Sequence, residues 1–251
     1  MNRSTSLKKE EFFRYKSILL YRLCAENRIE YDSMKDLTPL SFFSITAYSH
    51  KELFHEAIFV WEALHRLSAY LEKQLLGKIE GVIAQGAHLV NHHLISIGKG
   101  TIVESGAFIQ GPCIIGQNSV VRHGAYIRGN VITGKQCIIG HDTEIKQSIL
   151  LDQAAAAHFN YVGDSILGNG CNLGAGVKLA NLRLDHQQVS VFFKGEKIVT
   201  GLKKFGAIVG DGVQLGCNVV TNPGTLLGPK VVCFPCLNIS GIISPEKVVK
   251  R

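Results

Sequence analysis

Hydrophobic residues recur along this chain every six positions. From Ile97 the series runs through Val103, Ile109, Ile115, Val121, Ile127, Thr133, Ile139 and Ile145, and eight of these nine are Ile or Val. Glycine follows four of them directly, at Gly98, Gly116, Gly134 and Gly140. Four residues after a large position comes a small or slim one, as at Ala107, Cys113, Ser119, Ala125, Val131, Cys137 and Thr143. An α-helix repeats about every 3.6 residues and cannot produce this pattern. A six-residue unit of strand and turn can. Three such units close a triangular coil, and stacked coils form a solenoid of parallel strands.

The same grammar returns at Leu167-Gly168, Leu173-Gly174 and Leu179. It returns again at Val209-Gly210, Leu215-Gly216, Thr221, Leu227-Gly228, Cys233 and Ile239. Between these blocks the repeat breaks twice. Leu151 keeps the phase, but the gap to Leu167 is not a multiple of six, so residues 152–161 are expected to leave the coil or distort it. Residues 181–206 form the second break, with short alternating stretches, Val189–Phe193 and Lys197–Thr200, around Gly195. That pattern predicts a hairpin extruded from the solenoid. Interruptions in a regular scaffold are where functional loops concentrate.

Residues 1–76 follow another pattern. Phe54, Ala57, Ile58, Trp61, Leu64, Leu71 and Leu75 have helical spacing, and Phe12, Phe13, Ile18, Leu19 and Leu23 suggest an earlier helix. The expected organisation is a helical segment over 1–76 that covers or extends the solenoid, the solenoid domain over 77–244, and a tail over 245–251.

Composition narrows the chemistry. The 251 residues include 26 glycines, regularly placed, and carry a formal charge of +7. That balance suits an anionic small ligand. No basic run with interleaved aromatics marks a nucleic-acid surface, and no stretch is long and apolar enough for a membrane span. Of the seven cysteines only Cys233 and Cys236 stand at CxxC spacing, with no second pair, so neither a disulfide framework nor a metal site is expected, and a reducing cytoplasm is the default. Cys113, Cys137 and Cys171 fall at the small inward position and Cys233 at the large one, which makes them core residues. Cys24, Cys217 and Cys236 have no such place. His92, His93, His123, His141 and His186 read as structural or surface residues. His92 and His93 are adjacent, so they should point to different sides of a strand, a poor basis for a three-histidine zinc site. His158 differs: it lies in the first break, close to Asn160, Tyr161 and Asp164. An imidazole titrates near neutrality and can take a proton from an amine attacking a thioester.

The string HFNYVGDSILGNGCNLGAGVKLANLRLD, residues 158–185, resembles the acetyltransferase domain of the bifunctional glucosamine-1-phosphate acetyltransferase and N-acetylglucosamine-1-phosphate uridyltransferase family, especially its archaeal type. AYIRGN (125–130), EIKQSIL (144–150) and GLKKFGAIVGDGVQLG (201–216) resemble the same domain, and the likeness spans about residues 80–244. It implies a mainly β fold, a left-handed parallel β-helix with an N-terminal helical segment. It implies His158 as general base. It places Arg128 and Lys146 on the substrate phosphate, with Glu144, Tyr161 and Asn172 beside the sugar. Asn181, and more loosely Cys217 and Pro235, fall at the acetyl-CoA site. The implied activity is acetyl-CoA-dependent N-acetylation of glucosamine-1-phosphate or a related amino-sugar phosphate for UDP-N-acetylglucosamine synthesis. A homotrimer sharing its sites is implied too, with no metal needed for acetyl transfer and with neither nucleic acid nor membrane as a partner.

The departures matter as well. Residues 1–76 hold no Gly-rich nucleotide loop, so uridyltransferase activity is not expected. A second substrate lysine of many bacterial members is absent from NLRLDHQQ (181–188), where Arg183, Lys203 or Lys204 would have to substitute. Two other function classes stay open: an acyltransferase acting on another sugar nucleotide, and a non-catalytic β-helix regulatory subunit.

Overall fold

The structure, a computed structural model, describes residues 35–250. The helix expected around Phe12–Leu23, and Cys24, lie outside them. Three parallel sheets of nine, eight and eight strands form the faces of a left-handed parallel β-helix. Face 1 begins at Val82–Ile83, face 2 at His88–Val90 and face 3 at Ile95–Ile97. The chain visits the faces in that order once per coil. The final strand, Val248–Val249, pairs with Val232–Cys233 and continues face 1.

The six-residue series points inward. All nine positions from Ile97 to Ile145 are buried, together with the small residues that turn the corners between them. Cys113, Cys137, Cys171 and Cys233 pack inside this column as expected, and burial pushes the Cys113 and Cys137 thiols up to about 12. Cys217 and Cys236 are exposed.

The first break resolves differently from its expectation. Residues 152–161 are not extruded; Ala155–His158 is an ordinary strand of face 1, paired with Ile138–His141. The coil is one residue shorter instead. Tyr126 pairs with Glu144 eighteen residues on, but Glu144 pairs with Tyr161 only seventeen on. The missing residue is at the edge between faces 2 and 3. There the earlier coil turns through two left-handed residues, Gly129 and Asn130, and the next coil through Gln147 alone. Leu150, not Leu151, therefore takes the inward place, and Leu151 is buried in a second core outside the helix. The following coil shortens at the same edge, at Asp164.

That second core explains residues 36–75. Face 3 carries an outward apolar column, Ile114, Ile132, Ile149, Ile166, Ile208 and Leu226, stacked in register. Helix α1, Glu62–Glu72, covers it with Leu64, Leu67 and Leu71, and Trp61 adds its ring beside Phe59 and Phe205. The helix is shorter than the spacing suggests. Glu56 adopts a left-handed conformation, and the Glu62 carboxylate accepts the Ile58 and Phe59 backbone N–H groups, so the chain enters α1 only at Glu62. Leu75 lies beyond it, fully exposed. The expected hairpin is present, Ser190–Phe193 against Glu196–Val199. Its inner side chains Val189, Val191 and Ile198 pack into the same second core. Leu184 to Gln188 form an exposed run, and Phe192 and Val199 on the hairpin's other side are exposed too.

Close stacking of coils makes specific glycines obligatory. A Cβ at Gly140 would lie 1.6 Å from the Ala157 carbonyl oxygen in the next coil. Gly140→Ala should therefore cost about 1–3 kcal/mol, several degrees in Tm for a chain this size. Gly170→Asn, at a left-handed position with open space around it, should melt close to the parent in the same thermal unfolding experiment.

Candidate functional site

Face 2 brings most of the expected residues together. Its strands place Tyr126, Glu144, Tyr161 and Lys178 in one outward column, one per coil. Two residues further along the strands, a second column carries Arg128, Lys146 and Gly163. Arg128 Nη1 donates to Glu144 Oε1 at 2.6 Å, and this bond holds the guanidinium above its ordinary pKa. Lys146 Nζ donates to Asp164 Oδ2 at 2.6 Å. Asn181, which the resemblance puts at the acetyl-CoA site with Cys217 and Pro235, lies in this cluster: it donates its amide to the same carboxylate oxygen and bonds the Tyr161 hydroxyl. Partial burial pushes the Tyr161 phenol up, against the Asn181 bond.

The sequence marks Asp164 only as a neighbour of His158 and gives it no role in the site. It is 7% exposed and joins Lys146 to Asn181, so it fixes two predicted side chains at once. The signal that marks it is the shortened corner: a single left-handed residue turns the chain there, which brings its carboxylate against Lys146. Gly163 beside it has a matching reason. A Cβ at that position would lie 2.6 Å from Asn181 Nδ2 and 2.7 Å from the Tyr161 hydroxyl, so glycine leaves room for their contact. The 24-residue enlargement of the next coil, from Asn172 paired with Gln214, departs from this same edge. Asn181 forms its base, its carbonyl accepting the Phe205 N–H at 2.8 Å.

His158 sits apart from this cluster, at the edge between faces 1 and 2 and three residues before Tyr161. Its side chain is exposed and its strand end is braced. Buried Asn160 accepts the His158 N–H through Oδ1 and donates through Nδ2 to the Gly174 carbonyl. His123 and His141 precede it on that edge, their rings stacked 5.7 Å apart. Cys217 and Pro235 continue the edge towards the C-terminus: the Gly176 N–H donates to the His158 carbonyl, Asn218 to Ala175, and Cys236 to Cys217. Asn172 is not with the face 2 cluster; it lies exposed on face 1, in register with Ala155. Arg183 is held by Asp185, and Lys203 and Lys204 are exposed near the base of the insertion. A cavity of about 310 Å³ lies elsewhere, under the end of α1, lined by His50, Gln74, Ser96 and Lys135 among others. Among the described residues no group of three or more His, Cys, Asp or Glu could hold a metal ion, and no helix is long and apolar enough to cross a membrane.

Comparison with known proteins adds an independent line. Residues 109–251 match the family model described as the GMPPB C-terminal domain. A bifunctional sugar-1-phosphate nucleotidylyltransferase/acetyltransferase of Sulfurisphaera tokodaii is 39% identical over 90 residues, 36% of this chain and 22% of that protein. The bifunctional protein GlmU of Methanococcus vannielii is 38% identical over 107 residues, 42% of this chain and 26% of that protein. The chain thus spans about a quarter of the length of these archaeal relatives. A putative uncharacterized acetyltransferase, YaiX of Escherichia coli, is 38% identical over 141 residues, 56% of this chain and 61% of that protein. The solved Arabidopsis UDP-N-acetylglucosamine acyltransferase aligns with a TM-score of 0.28 at 13% identity, over 65% of this chain and 70% of that one.

The two ion pairs of the cluster should differ in worth. Lys146 and Asp164 side chains are 16% and 10% exposed, those of Arg128 and Glu144 43% and 32%. In urea-unfolding double-mutant cycles, Lys146→Met with Asp164→Asn should show a coupling of about 1–3 kcal/mol. The more exposed pair, Arg128→Ala with Glu144→Ala, should stay below about 1 kcal/mol.

Proposed function

The chain belongs to the GMPPB C-terminal domain family, and from that premise we propose that it is an acetyl-CoA-dependent acetyltransferase acting on an amino sugar that carries an anomeric phosphate, glucosamine-1-phosphate first among them. The observation that carries this reading is the face 2 cluster. Arg128 and Lys146 are neighbours one coil apart, each held by a carboxylate, with the Tyr161 hydroxyl and the Asn181 amide beside them. Guanidinium and ammonium side by side make a phosphate clamp, and phenol, amide and carboxylates offer partners for sugar hydroxyls. The aligned Sulfurisphaera tokodaii protein, which is named for sugar-1-phosphate and acetyl-transfer chemistry, supports the same assignment.

In this reading His158 is the base. The amine nitrogen attacks the thioester carbonyl of acetyl-CoA. A nitrogen–carbon bond forms, and the carbon–sulfur bond breaks. The proton leaving nitrogen passes to the His158 imidazole and on to the departing thiolate. Acetyl-CoA would lie along the edge that carries His158, Cys217 and Pro235. The coils are spaced by about 4.8 Å, so Pro235, three coils from His158, is roughly 14 Å along that edge. An extended cofactor arm suits such a track. No metal enters any step.

The site is open, and we take it to be closed by a second copy of the chain. Face 3 is covered by α1 and the hairpin, whereas among the described residues no element packs on faces 1 and 2, which meet at His158. Homotrimeric association around that edge would leave each His158 facing a neighbour. Light scattering should then give three times the chain mass, and a monomer of full activity would contradict it.

The assignment of the clamp is tested by thiol release from acetyl-CoA with a panel of amino-sugar phosphates. Glucosamine-1-phosphate should be acetylated, and Arg128→Ala should raise its KM by tenfold or more, with a smaller effect on kcat. An unchanged KM would remove Arg128 from the phosphate.

A further inference from the structure

Neither the core nor the clamp accounts for two of the thiols. Among the described residues Cys113, Cys137, Cys171 and Cys233 are buried inside the β-helix, and burial pushes their thiols up, that of Cys233 to about 11. Such thiols are inert. Cys217 and Cys236 are exposed, and both stand on the edge between faces 1 and 2.

They belong to successive coils. Leu215 pairs with Cys233, so Cys217 lies level with Pro235, and Cys236 is one residue further on. The Cys236 N–H donates to the Cys217 carbonyl at 2.9 Å. Standard bond lengths then hold the two α-carbons within about 6.8 Å of each other. Disulfides span about 4.4–6.8 Å between α-carbons. The direction of the side chains fits as well. Cys236 adopts a left-handed conformation, with φ 61°. Asp142 and Asn218 hold the same place in earlier coils of this edge, and their side-chain oxygens fold back onto Gly124 and Gly176 of the coil before. The Cys236 side chain therefore starts back towards the coil of Cys217. Glycine, aspartate and asparagine suit a left-handed residue. Cysteine does not, and no packing or hydrogen bond of its sulfur explains it there.

We propose that Cys217 and Cys236 are a site of reversible oxidation, closed by a peroxide into a disulfide that staples two coils of this edge. The thiolate of one cysteine attacks hydrogen peroxide. A sulfur–oxygen bond forms, the oxygen–oxygen bond breaks, and the departing hydroxide takes up the thiol proton as water. The second thiol then displaces the oxygen from the first sulfur as a second water, and the sulfur–sulfur bond forms. Two thiols are oxidised, and one peroxide is reduced. The pairing rests on the geometry of the edge alone. Its effect on acetyl transfer rests on the reading of that edge as the acetyl-CoA track. Cys217 stands in the column of His158, two coils away, so a bridge from it to the next coil narrows the path of the cofactor's arm and raises the KM for acetyl-CoA.

The test has two arms. In the first, the parent chain and Cys236→Ser are treated with a small excess of hydrogen peroxide, digested with trypsin without reduction and read by mass spectrometry. Lys204, Lys230 and Lys247 put the two cysteines on different peptides, residues 205–230 and 231–247. The parent should give these peptides linked, at the mass of a single chain on a non-reducing denaturing gel, and dithiothreitol should separate them. Cys236→Ser should give no link, which removes Cys233 as the partner. Thiols that stay free or go on to sulfinic acid, a link to Cys24 or between chains, or a link that survives Cys236→Ser would overturn the proposal. In the second arm the oxidant is removed and acetyl transfer is followed by loss of the thioester absorbance. The oxidised parent should show a KM for acetyl-CoA raised fivefold or more and restored by dithiothreitol, while Cys236→Ser should not respond to peroxide. If the bridge forms and that KM is unchanged, the oxidation site stands and the acetyl-CoA track past Cys217 falls. The peptide map decides the bridge even where no acceptor is acetylated.

Discussion

Each coil of this β-helix places one inward side chain, most often a branched aliphatic, on every face, directly over the same position in the coil below. The strands' backbone N–H and carbonyl groups bond to neighbouring coils, so a residue gained or lost must be absorbed locally or the whole inward column slips. Column and ladder therefore fix each other. Ile127 is followed inward by Thr133, six residues on, whereas Ile145 is followed by Leu150, five on, and the column continues unbroken because the lost residue is taken from a corner.

That corner is where the polar cluster forms. Three successive coils depart from regularity at one edge: two shorten, at Gln147 and Asp164, and the third opens into the insertion that begins at Asn181. The regular corner before them turns through Gly129 and Asn130. The shortened ones draw Asp164 in against Lys146 and leave Gly163 bare for Tyr161 and Asn181 to meet above it. The residues with chemistry thus stand on strands whose positions are dictated by the core beneath, which is the rigidity that positioning groups for catalysis requires. The cover on face 3 serves the same end. It packs the insertion and α1 onto the outward column of Ile132, Ile149 and Ile166, and so anchors the base of the segment that supplies Asn181.

Much of this is legible in the sequence. The period from Ile97 to Ile145 specifies the coil, and the place of each core cysteine follows from it. The hairpin around Gly195 is announced by its alternation. What is not legible has physical causes. A lost residue looks the same in sequence whether the chain leaves the coil or tightens a corner, so 152–161 reads as a loop while Ala155–His158 is a strand. Adjacent apolar pairs such as Ile149-Leu150 and Ile166-Leu167 mean a strand buried on both sides, but within a repeat the second member draws all the attention, and the covered face goes unseen. The interrupted helix before Glu62 turns on one left-handed residue, Glu56, that nothing in its own type foretells. Of the expected site, Arg128, Lys146, Glu144, Tyr161 and Asn181 converge because their spacing respects the coil. Asn172 points from another face, and Asp164 emerges only once the corner is drawn.

The central claim is that a braced histidine at the edge of faces 1 and 2 moves the proton in a transfer whose acceptor is held on face 2. The most direct measurement is the single-turnover rate of acetyl transfer by His158→Ala, with glucosamine-1-phosphate saturating and circular dichroism confirming the fold. The account predicts a rate lower by a factor of about 10² or more, the usual worth of a positioned base, with little change in acceptor binding. A rate within a few-fold of the parent would contradict it.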